Sequence, residues 1–240
     1  MAFATIGTRG IQAQSVDLTT KVTGTLPVPN GGLGIASGTT GQFLKFTGTE
    51  TLASSADNGG GLVLLSNSES SSSASSVIFD NVFTSSYNKY KITGFMIPSG
   101  DNRSFRINAR TGGASGSTNT ASIYNGIYRS RAINSSGSGV TTDEQFYQYT
   151  AWNFAENTNL DSNSAYLGFD FTIYDPNTEL AGRMMLSGFT TFHQNSDARQ
   201  DIAYCGGRLD SDINATGIVF SYNADNVAKH SISVYGVADA

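Results

Sequence analysis

From Ser104 to Arg110 the chain alternates without a break, with Phe105, Ile107 and Ala109 on one side and Arg106, Asn108 and Arg110 on the other. Successive side chains leave a strand on opposite sides, so this period of two marks a strand with one buried face. Tyr166 to Tyr174 repeats the pattern and directs Leu167, Phe169, Phe171 and Ile173 inward. Further strands are expected at Leu62–Leu65, Val77–Phe83, Lys89–Ile97, Ser122–Arg129, Gln145–Phe154, Gly182–His193, Asp201–Leu209, Thr216–Tyr222 and Ser231–Val237. No segment carries a helical period. Ser99-Gly100-Asp101-Asn102 and Asp175-Pro176-Asn177-Thr178 supply the residues that tight turns require. The fold class expected is all-β, an antiparallel β-sandwich of the jelly-roll kind, since that arrangement manages sheet edges without a helical layer.

The first quarter of the chain is a different object. Of 14 phenylalanines only Phe3, Phe43 and Phe46 precede Leu62, and every tyrosine and the one tryptophan follow it. Such a segment cannot build its own core. Within it, Val22 to Gly34 reads VTGTLPVPNGGLG, where Pro27 and Pro29 fix φ and remove two backbone donors and Asn30-Gly31-Gly32 turns the chain. The expected organisation is an extended N-terminal arm over residues 1–60, held by other subunits, and a β-sandwich body over 61–240. Ser66 to Ser76 is a polar, serine-rich tract expected to be a loop or linker. Thr111–Thr120 and Asn134–Thr142 are expected to be long loops.

The run from Asp17 to Gly34 resembles the V-T-G-x-L-P-x-x-N-G-G-T-G segment of tail fibres and related appendage proteins of tailed bacteriophages, with Pro29 in place of a small residue and Leu33 in place of Thr. Met1 to Gly10 and Gly41 to Lys45 are similar to the same class. The resemblance implies a virion component, commonly trimeric, whose N-terminal part attaches to the particle. Leu26, Pro27, Val28, Pro29, Asn30, Gly31 and Gly32 are then the candidate anchoring residues. The partners implied are further copies of the chain and other virion proteins of tail or capsid.

Composition excludes other classes. A formal net charge of −5, with 14 scattered Lys and Arg, gives no basic footprint for nucleic acid. No apolar run approaches the roughly 20 residues of a membrane-spanning helix. Met1 to Thr20 lacks a signal-peptide pattern, so synthesis in the host cytoplasm and release within a virion is the expectation. The single Cys205 rules out an intrachain disulfide and reads as a small buried hydrophobe. No cofactor or metal is expected.

Catalysis has little to draw on. The two histidines, His193 and His230, sit at strand ends without a nucleophile motif, and a structural role is expected of each. Glycoside hydrolysis needs two carboxyl groups flanking one bond, and Asp143, Glu144, Asp170, Asp175, Asp197 and Asp201 are available, mostly in turn-like contexts. Binding is better served. Alternation in Gln145–Phe154 places Phe146, Trp152 and Phe154 on one face and Tyr147 and Tyr149 on the other. Tyr147 and Tyr149, with Tyr124 and Tyr128, are the candidate contacts for a host-surface glycan, set against a core or subunit-interface role for the same aromatics. The function expected is a non-enzymatic phage virion protein, a trimeric tail fibre or tail-associated adhesin. The alternatives are a capsid decoration or head-fibre protein and, third, a polysaccharide depolymerase.

Overall fold

The computed structural model describes residues 39, 42–48, 51–55, 61–101, 103–121, 123–133, 137–154, 166–177, 184–194 and 199–238. The candidate anchoring residues Leu26 to Gly32 lie outside them. The chain divides into two compact units, Met1–Gly59 and Gly60–Ala240. In the first, β1 (Phe43–Gly48) and β2 (Thr51–Ser55) form an antiparallel hairpin with Phe43, Leu44 and Phe46 exposed. No strand is expected there from the sequence.

The second unit is an antiparallel β-sandwich. Its strands are β3 (Leu62–Ser70), β4 (Val77–Phe79), β5 (Lys89–Pro98), β6 (Phe105–Thr111), β7 (Ser117–Thr118), β8 (Tyr124–Ile133), β9 (Gly139–Tyr149), β10 (Trp152–Phe154), β11 (Leu167–Tyr174), β12 (Met185–Gln194), β13 (Arg199–Leu209), β14 (Gly217–Tyr222) and β15 (Val227–Val237). One sheet has eight strands in the order β3-β15-β5-β11-β12-β13-β8-β9. The other runs β10-β6-β14-β4, with β7 added beside β6. Without β7 and the hairpin strands β8, β9, β12 and β13, a frame of four strands in each sheet remains, β3-β15-β5-β11 and β4-β14-β6-β10.

The core lies between the sheets, where inward rows interlock. Phe105 and Phe220 of the small sheet stack on Phe169 of the large one, with ring centroids 5.3 and 5.4 Å away, and Phe171 adds a further ring 5.4 Å from Phe169. Offset stacks of this kind add to the area each ring buries. Trp152 and Tyr124 meet edge to face at 5.2 Å. The alternation that marked Tyr166–Tyr174 is seen directly in β11, where Leu167, Phe169, Phe171 and Ile173 are buried and the residues between them are not.

Four segments differ from expectation, among them Gly139–Thr142, which opens β9 rather than lying in a loop. Ser66–Ser70 belongs to β3 rather than to a loop, because an edge strand is held by backbone pairing with β15 and needs no apolar side chains. Gln145–Phe154 is two strands in different sheets: Gln148 takes a φ of 55°, and the Thr150 carbonyl is held by the Asn108 side-chain amide at 2.6 Å as the chain crosses over. Thr111–Thr120 is a tethered segment that carries β7. Arg110 is buried and bonds Asp80 through Nε at 2.7 Å, Thr118 Oγ1 at 3.0 Å and the Gly116 carbonyl, while Asn108 also bonds the Asn119 carbonyl at 2.9 Å. The segment is thereby pinned along β6, with β7 paired to it.

Candidate binding face

On the outer side of the large sheet, β12, β13 and β8 expose a set of apolar side chains among the described residues. On β12 the inward row is Met184, Leu186, Thr190 and Phe192, all buried, and the opposite parity leaves Met185 and Phe189 exposed. On β13, Asp201, Ala203, Cys205 and Leu209 are buried, while Ile202 and Tyr204 face out, Tyr204 with 61% of its surface exposed. On β8, Tyr124, Tyr128 and Ser130 point in, and Ile127, half exposed, with Arg129 and Arg131 points out.

Register brings these residues together. Phe189 pairs with Tyr204, Thr191 with Ile202, Tyr204 with Arg129, Ile202 with Arg131 and Gly206 with Ile127. Strands sit about 4.8 Å apart and alternate residues along a strand about 6.8 Å apart, so Phe189, Tyr204, Ile202 and Ile127 make one continuous apolar surface. Arg129, Arg131 and Arg208 border it, Arg208 loosely paired with Asp210 at 3.5 Å. On the β11 side the border is the ion pair of Lys91 with Asp170, whose register partner is Phe189. Phe95 and Tyr166, edge to face at 4.8 Å, continue the aromatic surface toward β5, with Lys229 Nζ 6.0 Å from the Phe95 ring centroid.

Two candidate glycan contacts are corrected. Tyr124 is wholly buried and Tyr128 is 2% exposed. The Tyr124 hydroxyl accepts a bond from the Ala109 amide at 3.0 Å and donates to the Asn119 carbonyl at 2.9 Å, and burial pushes its pKa up to about 12. Both rings lie on the inner side of β8, under the small sheet, where no sugar can stack. Tyr149 is exposed at the end of edge strand β9, and the side chain of Tyr147 lies outside the described residues. Phe189, Ile202 and Tyr204 were not singled out from the sequence. The available signal was the presence of large apolar residues on both parities of β12 and β13.

The titratable groups are dispersed. Asp170 faces outward and Asp201 inward on the same sheet, so these two carboxylates do not flank one bond. His230 is buried, and its Nε2 lies 2.9 Å from Ser68 Oγ, while Nδ1 has no hydrogen-bond partner among the described residues. A hydroxyl beside an imidazole invites comparison with a nucleophile and base, but among the described residues no group orients the base at Nδ1 as triad chemistry requires. Burial lowers the His230 pKa, opposed by the charge of Glu69. Cys205 is buried and its thiol pKa is raised to about 12 by desolvation, the opposite of a reactive cysteine. Among the described residues no group of three His, Cys, Asp or Glu is placed to hold a metal ion. Compared with models of protein families, with curated proteins and with solved structures, the chain matches none.

Proposed function

We propose that the chain is a structural component of a tailed-phage virion, a trimeric tail fibre or tail-associated adhesin that acts by binding rather than by catalysis. The N-terminal segment that resembles phage appendages supports the class. One structural observation carries the binding role: a face of Met185, Phe189, Ile202, Tyr204 and Ile127, exposed among the described residues on neighbouring strands of one sheet. Contiguous exposed apolar surface of this sort marks an interaction site.

We read the four-plus-four frame as a jelly roll. Strands β3 to β6 alternate between the sheets, β10 stays in the small sheet with β6, and β11, β14 and β15 alternate again, a double-wound path found in viral structural domains. Fold alone assigns no function, so the test concerns location and contact. Labelling the chain in intact particles should place it on the tail; label confined to the capsid would replace this reading with capsid decoration. Tyr147→Ala with Tyr149→Ala should weaken adsorption or glycan binding by an assembled oligomer, and unchanged adsorption would end the glycan role of that hairpin.

A further inference from the structure

We infer that the serine half of β3, Ser66–Ser70, is a pH-sensitive latch on the edge of the large sheet, closed by the neutral His230 ring and opened when that ring takes up a proton. The latch involves the body alone and is independent of the proposed function.

Strand β3 is held in two different ways. Among the described strands it ends the large sheet and pairs with β15. Its first half is apolar, and Leu65 packs against the core. A register shift between Val234 and Tyr235 separates this half from the second. There Ser70, Ser68 and Ser66 pair with His230, Ile232 and Val234, whose side chains are buried, so the three serines share the inner side of the sheet. A serine side chain removes little apolar surface from water. This half therefore relies on backbone pairing and on one side-chain bond, between Ser68 Oγ and His230 Nε2 at 2.9 Å. The stretch is also bounded. Leu65 fixes it on one side, and beyond the other Ala74 and Val227 exchange both backbone bonds, at 3.0 and 2.7 Å.

The protonation state of His230 decides whether that bond is compatible with burial. The side chain is 3% exposed, and Nδ1 has no hydrogen-bond partner among the described residues. A neutral ring keeps its one proton on Nε2 and donates it to Ser68. The imidazolium carries an N–H on both nitrogens, and the Nδ1 donor then lies buried without an acceptor. Around the ring, β5 presents the apolar Met96 as register partner, and Lys229, next along β15, lies toward the Phe95 ring. Glu69 of β3 is the charge that acts on His230 among the described groups; it is exposed, with Ser231 as its register partner, and its attraction for the proton is outweighed by burial of the ring. Opening of Ser66–Ser70 lets the ring reach water, where it takes up a proton with its ordinary affinity. Acid therefore favours the open form.

The test is native-state hydrogen exchange on the full-length protein between about pH 7.5 and about pH 5.5, corrected for the pH dependence of exchange itself, with the His230 ring titrated by NMR. Protection of the Ser66–Ser70 amides that pair with β15 should fall about fivefold or more across this range, follow the His230 titration and depend little on urea. The amides of β11 should keep higher protection and the steep urea dependence of global unfolding. His230→Gln, which does not titrate here, should abolish the step, and Ser68→Ala should bring the protection at neutral pH down toward the acid value. Ser66–Ser70 amides that match β11 in protection and urea dependence would overturn the latch. So would a step that persists in His230→Gln, or one that the His230 titration does not track. Should His230→Gln fail to fold, Ser68→Ala decides, and unchanged protection of Ser66–Ser70 at neutral pH in that variant would overturn the latch as well.

Discussion

Tyr124 shows how much a single buried polar group carries. Its hydroxyl serves the Ala109 amide on β6 and the Asn119 carbonyl in the following loop, tying the two sheets and the loop at one atom. Tyr124→Phe leaves the buried Ala109 amide unpaired, while the Asn119 carbonyl keeps its bond from the Asn108 side chain, and urea unfolding should show a loss of about 1–3 kcal/mol. His230 is the residue whose protonation reaches the fold. Its ring faces Ser68 and lies near Glu69 on β3, with Met96 as its register partner on β5. Burial holds its pKa below the ordinary 6.5, so the unfolded chain binds the proton more readily than the folded one. Stability is therefore complete above that ordinary value and declines as the pH falls through it toward the folded value. Thermal midpoints between about pH 7.5 and about pH 5.5 should fall, and His230→Gln should flatten this part of the profile.

At the scale of elements, the close approach of strands to their cover depends on missing side chains. A Cβ on Gly207 would lie 2.6 Å from Trp152 Nε1 and 2.8 Å from the Asn125 carbonyl, so this glycine of β13 makes the space in which the Trp152 indole seats. Gly207→Val should cost about 1–3 kcal/mol in denaturant unfolding by overpacking, with Trp152 fluorescence altered in the folded state. The aromatic run of Gln145–Phe154 reads as one strand because alternation continues across it, yet a period of two describes side-chain direction and not sheet membership. The crossover needs only Gln148 in a left-handed conformation and Asn108 to hold the Thr150 carbonyl, and neither leaves a strong local signature. Strand β3 was half legible for the reverse reason. Leu62–Leu65 announces a strand, and Ser66–Ser70 extends it through pairing with β15 alone.

At the scale of the molecule, the proposed function gives the two compact units different tasks. Deleting Met1–Gly59 should leave the body with an unchanged unfolding midpoint and abolish incorporation into particles, as scored by blotting purified virions; normal incorporation would remove the arm as the anchor. Among the described residues of the body, a loop is pinned along β6 through Arg110 and Asn108, and Met185, Phe189, Ile202, Tyr204 and Ile127 stand exposed on the large sheet. An exposed apolar surface of this kind is stabilised when a partner removes it from water.

The sequence by itself determined that the body is made of strands, where most of them run and that they pair antiparallel across turns, because side-chain alternation is local and survives without knowledge of the fold. It also set apart a first quarter in which aromatic residues are scarce. Tertiary structure alone decided which apolar parity of each strand is covered. Tyr124 and Tyr204 stand in strands with the same alternating signal, yet the first is sealed beneath the small sheet and the second faces outward on the other side of the large one. Burial belongs to a pair of surfaces, and a period of two in one strand carries no information about which sheet will lie across from it.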